Sequence, residues 1–238
     1  MLADEKLPDG WQMDSSSGYT HVAHHAQWQL YYREFPPRSP AEKFKSLFRG
    51  SDATRAWNSN QNLLWSGFGA PPTVARGKLP NDTEYIFTGS AKGERLSLWI
   101  KQAHNNEIWS RPTEKWRLLR ELGIFVGRLH ATGFIHGNLQ TLNILTNKGP
   151  SRFEFFLINN EHNTQIQPVP GKLLLQNLMQ LNLHLPSEIS RCDRLRFFRA
   201  WHSQMRDLSD LEAKLLARRS YQWAMSRLNY TKVTPAPD

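Results

Sequence analysis

The sequence predicts an α+β chain: a small strand-bearing part first, then a larger and mainly helical one. Three observations carry this. β-prone runs bounded by turn residues fall in the first third, Trp28-Gln29-Leu30-Tyr31-Tyr32-Arg33-Glu34-Phe35 before Pro36-Pro37 and Glu84-Tyr85-Ile86-Phe87-Thr88 before Gly89-Ser90. From Glu94 onward apolar residues recur with a helical period. One loop, followed by the apolar run Phe153-Glu154-Phe155-Phe156-Leu157-Ile158, interrupts the helical part.

Residues 1 to 20 are polar, with Ser15-Ser16-Ser17-Gly18, and read as a loose arm or a first hairpin. The run from Trp28 to Phe35 reads as a strand. Ser51-Asp52 can cap a helix running through Trp57 to Leu64. Gly67-Phe68-Gly69-Ala70-Pro71-Pro72 is a turn, and Gly89-Ser90 follows the second strand as a hinge. Ser110 with Pro112 starts a long helix whose apolar face is Trp116, Leu119, Leu122, Val126 and Leu129, with Gly133 as its C-cap. Three more helices are expected, over Leu173 to Leu183, Ile189 to His202 and Leu208 to Asn229.

The loop between the long helix and the strand reads His136-Gly137-Asn138-Leu139-Gln140-Thr141-Leu142-Asn143. This is the spacing of a kinase catalytic loop, in which an Asp accepts the substrate's hydroxyl proton and an Asn holds Mg²⁺. His136 and Asn143 fit; Asn138 stands where the Asp belongs. The second metal-binding Asp follows the next strand in kinases, and here that position is Asn159. The expected architecture is therefore a two-lobed, protein-kinase-like fold. Residues 1–88 form a small β-containing N lobe, and residues 89–238 a larger helical C lobe with a degenerate catalytic loop at 136–143.

Longer stretches resemble the lipopolysaccharide-core (Kdo/heptose) kinases of bacteria. Leu129-His130-Ala131-Thr132-Gly133-Phe134-Ile135-His136-Gly137-Asn138-Leu139 is similar to that family's "LHxxGxxHGDL", and Phe156-Leu157-Ile158-Asn159-Asn160-Glu161 to its "FxLIDxxR". Leu181-Asn182-Leu183-His184-Leu185-Pro186 with Ser190-Arg191-Cys192-Asp193-Arg194-Leu195-Arg196-Phe197-Phe198-Arg199-Ala200-Trp201 is similar to "LNxSLP…SRxDRxRFLRAY". Leu47-Phe48-Arg49-Gly50-Ser51-Asp52-Ala53 resembles its "FRGSRA".

The resemblance covers most of the chain and fades before Trp28. It implies two further departures. Arg33 takes the place of the nucleotide-binding Lys, and Ala56 takes the place of the Glu that pairs with it. No glycine-rich phosphate loop precedes Arg33. Four charged positions are thus altered. At ~4 Å and an effective dielectric of ~20, one unit charge pair is ~4 kcal/mol, so losing one carboxylate costs a dication on the order of 8 kcal/mol before solvation is returned.

The resemblance with its departures implies a pseudokinase, a non-catalytic binding or regulatory protein in envelope polysaccharide assembly. ATP and Mg²⁺ binding are expected to be weak or absent. Two alternatives stand beside it. One is an active ATP-dependent kinase of a core sugar, Kdo or heptose, with an altered metal scheme. The other is a basic nucleic-acid-binding module, the least favoured because no such module is recognisable.

Charge bears on partners. The 238 residues carry 30 Lys and Arg against 21 Asp and Glu, a net +9. From Pro186 to Lys232 ten bases face five acids, so this segment holds +5 of the excess. Such a surface attracts phosphates, anionic headgroups or nucleic acid, although charge alone favours the simpler reading of a solvated helix face. Arg191 and Arg194 are neighbours on a helix, as are Arg196 and Arg199, and Asp193 is available to pair with one Arg. The expected partners are lipopolysaccharide-assembly proteins and an anionic membrane surface. A single cysteine, no apolar leader and no run near the ~20 residues of a membrane span lead to the expectation of a soluble, cytoplasmic protein, and the resemblance implies a peripheral place on the inner membrane face. His21, His24 and His25 are read as part of a surface strand rather than a zinc site.

Overall fold

The computed structural model describes residues 7–17, 20–36, 50–104 and 112–233. Leu47-Phe48-Arg49, Pro37, Gly18 and Ser110, each used above, lie outside them. The chain forms two compact units: Met1–Lys92 with Phe156–His162, and Gly93–Phe155 with Asn163–Asp238.

The first unit is built on five antiparallel strands, β1 (Trp11–Ser17), β2 (Thr20–His25), β3 (Leu30–Phe35), β4 (Thr73–Lys78) and β5 (Glu84–Gly89), in the order β1-β2-β3-β5-β4. The antiparallel pair of β1 and β2 bears out the first-hairpin reading for the described residues from Trp11 on. β3 begins at Leu30 rather than Trp28, because Gln29 turns the chain at φ +52 and donates its N–H to Ala26 O. Helix α1 (Asp52–Trp65) starts where expected, with Ser51 Oγ accepting from Thr54 N–H at 3.2 Å. Ala53 and Ala56 of α1 pack with Phe35 and Ile86 of the sheet, and Trp57 flanks them. Small α1 residues let the helix lie close to the strands.

The three histidines do not share a face. His25 is buried and stacks on the Trp28 ring at 4.0 Å, whereas His24 leans on Tyr31. Gly89 and Ser90 donate their N–H groups to Pro72 O and Gln29 O, and the first unit runs on to Lys92.

The second unit holds β6 (Glu94–Arg95), helices α2 (Leu96–His104) and α3 (Pro112–Ala131), β7 (Phe134–Ile135), β8 (Ile144–Lys148) and the start of β9 (Phe153–Leu157). It continues with β10 (Thr164–Gln165), α4 (Gly171–Leu181), α5 (Arg191–His202) and α6 (Asp210–Val233). α3 buries Leu118, Leu119, Leu122, Val126 and Leu129, as its period requires. Trp116 departs from that face. It is 42% exposed, and the Arg196 guanidinium lies 4.3 Å from its ring centre. The backbone of α5 passes close to Gly123 and Gly127, where added Cβ atoms would meet Phe197 O at 2.4 Å and Trp201 O at 2.6 Å. Among the described residues no helix is long and apolar enough to cross a membrane.

α5 shows where its charges go. Ser190 and Asp193 form a capping box. Burial raises the Asp193 carboxyl, but hydrogen bonds from Ser190 and Lys115 outweigh it and hold the group below its ordinary range. Asp193 pairs with Arg196 at 3.2 Å and with Lys115 at 3.1 Å, so part of the basic run is structural.

Candidate functional site

Two sets of residues carry the expected chemistry, one in each unit. In the first unit, side chains alternate across β3, so Arg33 and Phe35 share a face, with Phe35 packed against α1. The segment 156–162 joins this unit where Leu157 N–H donates to Gly69 O at 2.8 Å. Asn159 then turns at φ +62, a region Asn adopts more readily than other residues bearing a Cβ. Arg33 meets this turn. Its Nη2 donates to Asn159 Oδ1 at 2.9 Å and its Nη1 to Glu161 Oε2 at 3.0 Å. Arg55 Nε donates to Glu161 O at 3.0 Å, and Arg55 also pairs with Asp52. Asn160 Nδ2 donates to Asn60 Oδ1 at 2.7 Å, fastening the turn to α1.

Ala56 lies 5% exposed in the core and offers Arg33 no polar atom. The carboxylate that pairs with Arg33 is Glu161, with side-chain exposures of 19% and 13% for the two partners. The side chain at position 159 is a poorer Mg²⁺ ligand than a carboxylate: it is a neutral amide, and its oxygen already accepts from the Arg33 guanidinium, whose own charge is offset by Glu161. Among the described residues no three of His, Cys, Asp and Glu stand together as a metal cluster.

In the second unit the loop is bonded from below. After α3 ends at Ala131, Gly133 terminates it with a φ of +85 and donates its N–H to His130 O. Phe134 and Ile135 pair with β10, and the chain then enters His136, which is 1% exposed. Asn138 N–H donates to His136 Nδ1 at 3.0 Å, and Asn143 Nδ2 donates to Asn138 O at 2.8 Å. His136 therefore braces the loop backbone as an acceptor, and Asn143 closes the turn. α4 supplies the support. Asn177 Oδ1 accepts His136 N–H at 3.2 Å, Asn177 Nδ2 donates to His136 O at 2.8 Å, and Gln180 Oε1 accepts Leu139 N–H at 2.8 Å. Thr141 Oγ1 lies 3.0 Å from His184 Nε2.

Beneath Asn177 lies His130, fully enclosed. Its Nδ1 accepts from Trp201 Nε1 at 3.0 Å, and its Nε2 lies 3.3 Å from Asn177 Oδ1. Burial pushes its pKa down to about 4, against a smaller upward effect of Asn177. The folded protein thus keeps His130 neutral where the unfolded chain, at about 6.5, takes up a proton. Stability is complete above pH ~6.5 and falls as pH drops toward 4, by about 3 kcal/mol in all for this group. His184, also lowered by burial, acts in the same direction. Urea denaturation at pH 7 and pH 4.5 is expected to show a drop that His130→Gln reduces. An unchanged pH dependence in the variant would contradict it.

The sequence reading missed Glu161 as the partner of Arg33, and Asn177 and Gln180 as loop supports. A signal existed for the last two: three amides, Gln176, Asn177 and Gln180, stand within the otherwise apolar run from Leu173 to Leu181. Nothing in the local pattern marked Glu161.

Residues 86–201 match the lipopolysaccharide kinase (Kdo/WaaP) family. Among solved structures, the chain is similar to WaaP in complex with acyl carrier protein, at 19% identity and a TM-score of 0.66, over 92% of this chain and 88% of that one. It is also similar to WbdD, at 15% identity and a TM-score of 0.52. That match covers 95% of this chain and 47% of WbdD, so the chain spans about half its length. These likenesses show a kinase-like fold. No curated protein matches the sequence.

Proposed function

We propose that this chain, a member of the lipopolysaccharide kinase (Kdo/WaaP) family through residues 86–201, is a non-catalytic relative of the lipopolysaccharide-core kinases. It binds or regulates other proteins of lipopolysaccharide assembly at the inner face of the cytoplasmic membrane. The observation that carries this reading is the bond from Arg33 to Asn159 Oδ1. The side chain at the metal-ligand position is neutral, and a built-in cation already holds its oxygen. Asn138 adds to it, since an amide accepts no proton at neutral pH. The loop that bears Asn138 is nevertheless well supported, which suits a surface kept for recognition. WaaP is seen with an acyl carrier protein. We extend to this chain only the class of partner, a protein of lipopolysaccharide biosynthesis.

A thermal-shift titration with ATP tests the reading. A ligand at 100 times its Kd adds ~2.7 kcal/mol, roughly 5–10 °C for a chain of this size. The expected shift with Mg·ATP is below about 1 °C on that scale. EDTA is expected to change nothing. A shift of several degrees that EDTA removes would favour the active-kinase reading instead.

A further inference from the structure

We propose that the outer face of α6 seats the protein on an anionic lipid surface. The inference rests on the function proposed above only for its setting beside a cytoplasmic leaflet. The helix has its side chains distributed in an unusual sense. Its fully buried positions are small, Ala213, Ser220 and Ala224, whereas Leu211 is 67%, Leu215 44% and Trp223 36% exposed. A surface helix of a globular protein ordinarily turns its Leu and Trp inward. Here Leu216 and Leu228 are half-buried, but Leu211, Leu215 and Trp223 project outward among cations.

Lys214, Arg218, Arg219 and Arg227 are all exposed, and Arg227 lies 5.8 Å from the Trp223 ring centre. From Ala213 to Val233 the helix contains no Asp or Glu. Two acids lie near the exposed leucines, both in the first turn: Glu212 is bound to the Ser209 cap, and Asp210 lies 3.7 Å from His202. Leu211, Leu215 and Arg218 follow one another at helical spacing, with Lys214 and Arg219 beside them, so apolar and cationic groups lie on one strip.

The composition of the strip selects its occupant. A phosphodiester backbone rewards the cations alone, whereas a bilayer interface takes cations at the headgroups and leucine and tryptophan just below them. No described helix is apolar enough to span a membrane, so α6 lies along the surface and does not cross it.

Vesicle sedimentation without nucleotide tests the inference. The probes are mixed phosphatidylglycerol–phosphatidylcholine vesicles, phosphatidylcholine vesicles and a DNA duplex. The protein is expected to sediment with the anionic vesicles alone, and to be released near 1 M salt, where the screening length is ~3 Å. Arg218→Glu with Arg219→Glu is expected to weaken binding at least about thirtyfold, the factor for two basic residues at ~1 kcal/mol each. Leu211→Gln with Leu215→Gln is expected to weaken it about tenfold while leaving its salt dependence in place. All four side chains are exposed, so unchanged melting of the variants is the control.

Equal binding to neutral vesicles would overturn the inference. So would an arginine pair variant that sediments like the unmodified protein. A leucine variant with full vesicle affinity would overturn it too, since adsorption would then rest on charge alone, and tighter binding to the duplex than to anionic vesicles would replace it with a nucleic-acid surface. Because no nucleotide is present, failure here leaves the Mg·ATP titration to judge the proposed function separately.

Discussion

Given ATP, Mg²⁺ and a lipopolysaccharide core acceptor, the protein is expected to transfer no phosphate above background. Two losses compound. Asn138 cannot take the acceptor hydroxyl's proton, and general-base help is worth ~10²–10⁴-fold. At Asn159 a neutral amide oxygen, already bonded to the Arg33 guanidinium of the Arg33–Glu161 pair, stands where a kinase offers a dication a carboxylate. Each kilocalorie matters on that scale, since ~1.4 kcal/mol is tenfold in rate. Labelled γ-phosphate measured on the extracted acceptor gives the readout. Turnover in the ordinary kinase range, ~1–100 s⁻¹ and abolished by Asn143→Ala, would falsify the proposed function.

The second large effect is on stability. Arg194→Met is expected to cost about 3 kcal/mol or more, from three acceptors left unpaired at about 1–3 kcal/mol each where they stay dry. Arg194 is 8% exposed, and its guanidinium binds acceptors on the stretch after α4 rather than a carboxylate. Nη1 donates to Asn182 Oδ1 at 2.6 Å and Asn182 O at 3.1 Å, and Nη2 donates to His184 O at 2.7 Å. Its Cζ lies 5.3 Å from the Tyr221 ring centre, which ties α5 to α6. Methionine fills much of the volume but leaves those oxygens dry. For a chain this long the loss corresponds to a Tm lower by roughly 10 °C. Arg194→Lys is expected to fall in between, because an ammonium cannot present the fork that reaches both residues. Arg199→Met, on an exposed position of the same helix, is the control and is expected to stay within about 0.5 kcal/mol. A Tm for Arg194→Met equal to the control's would show that the network is not what holds this region.

These two arginines show how far the sequence reaches. Arg191, Arg194, Arg196 and Arg199 are one basic run in the sequence, and helical spacing pairs them without ranking them. Folding separates them: Arg194 is buried among carbonyls, Arg196 stacks on Trp116 and pairs with Asp193, and Arg191 and Arg199 stay exposed. Trp116 was misplaced for the same reason. A tryptophan in helical register reads as core, but a guanidinium can cover its face at the surface as well.

Periodicity and turn chemistry determined the α+β class, the first hairpin as one of two readings, the long helix before the loop and the loop's own spacing. These are local, because hydrophobic period, caps and glycine turns act within a few residues. Residue identity also determined that both positions expected to carry carboxylates, 138 and 159, are amides. What joins distant segments was decided only by the tertiary structure. Arg33 meets Asn159 and Glu161 across more than 120 residues of chain, because Phe156–His162 packs in the N-terminal unit. Asn177 reaches back 41 residues to His136. No spacing rule encodes such pairs. They form because burial leaves each polar group needing a partner, and only the packed chain determines which one stands within 3 Å.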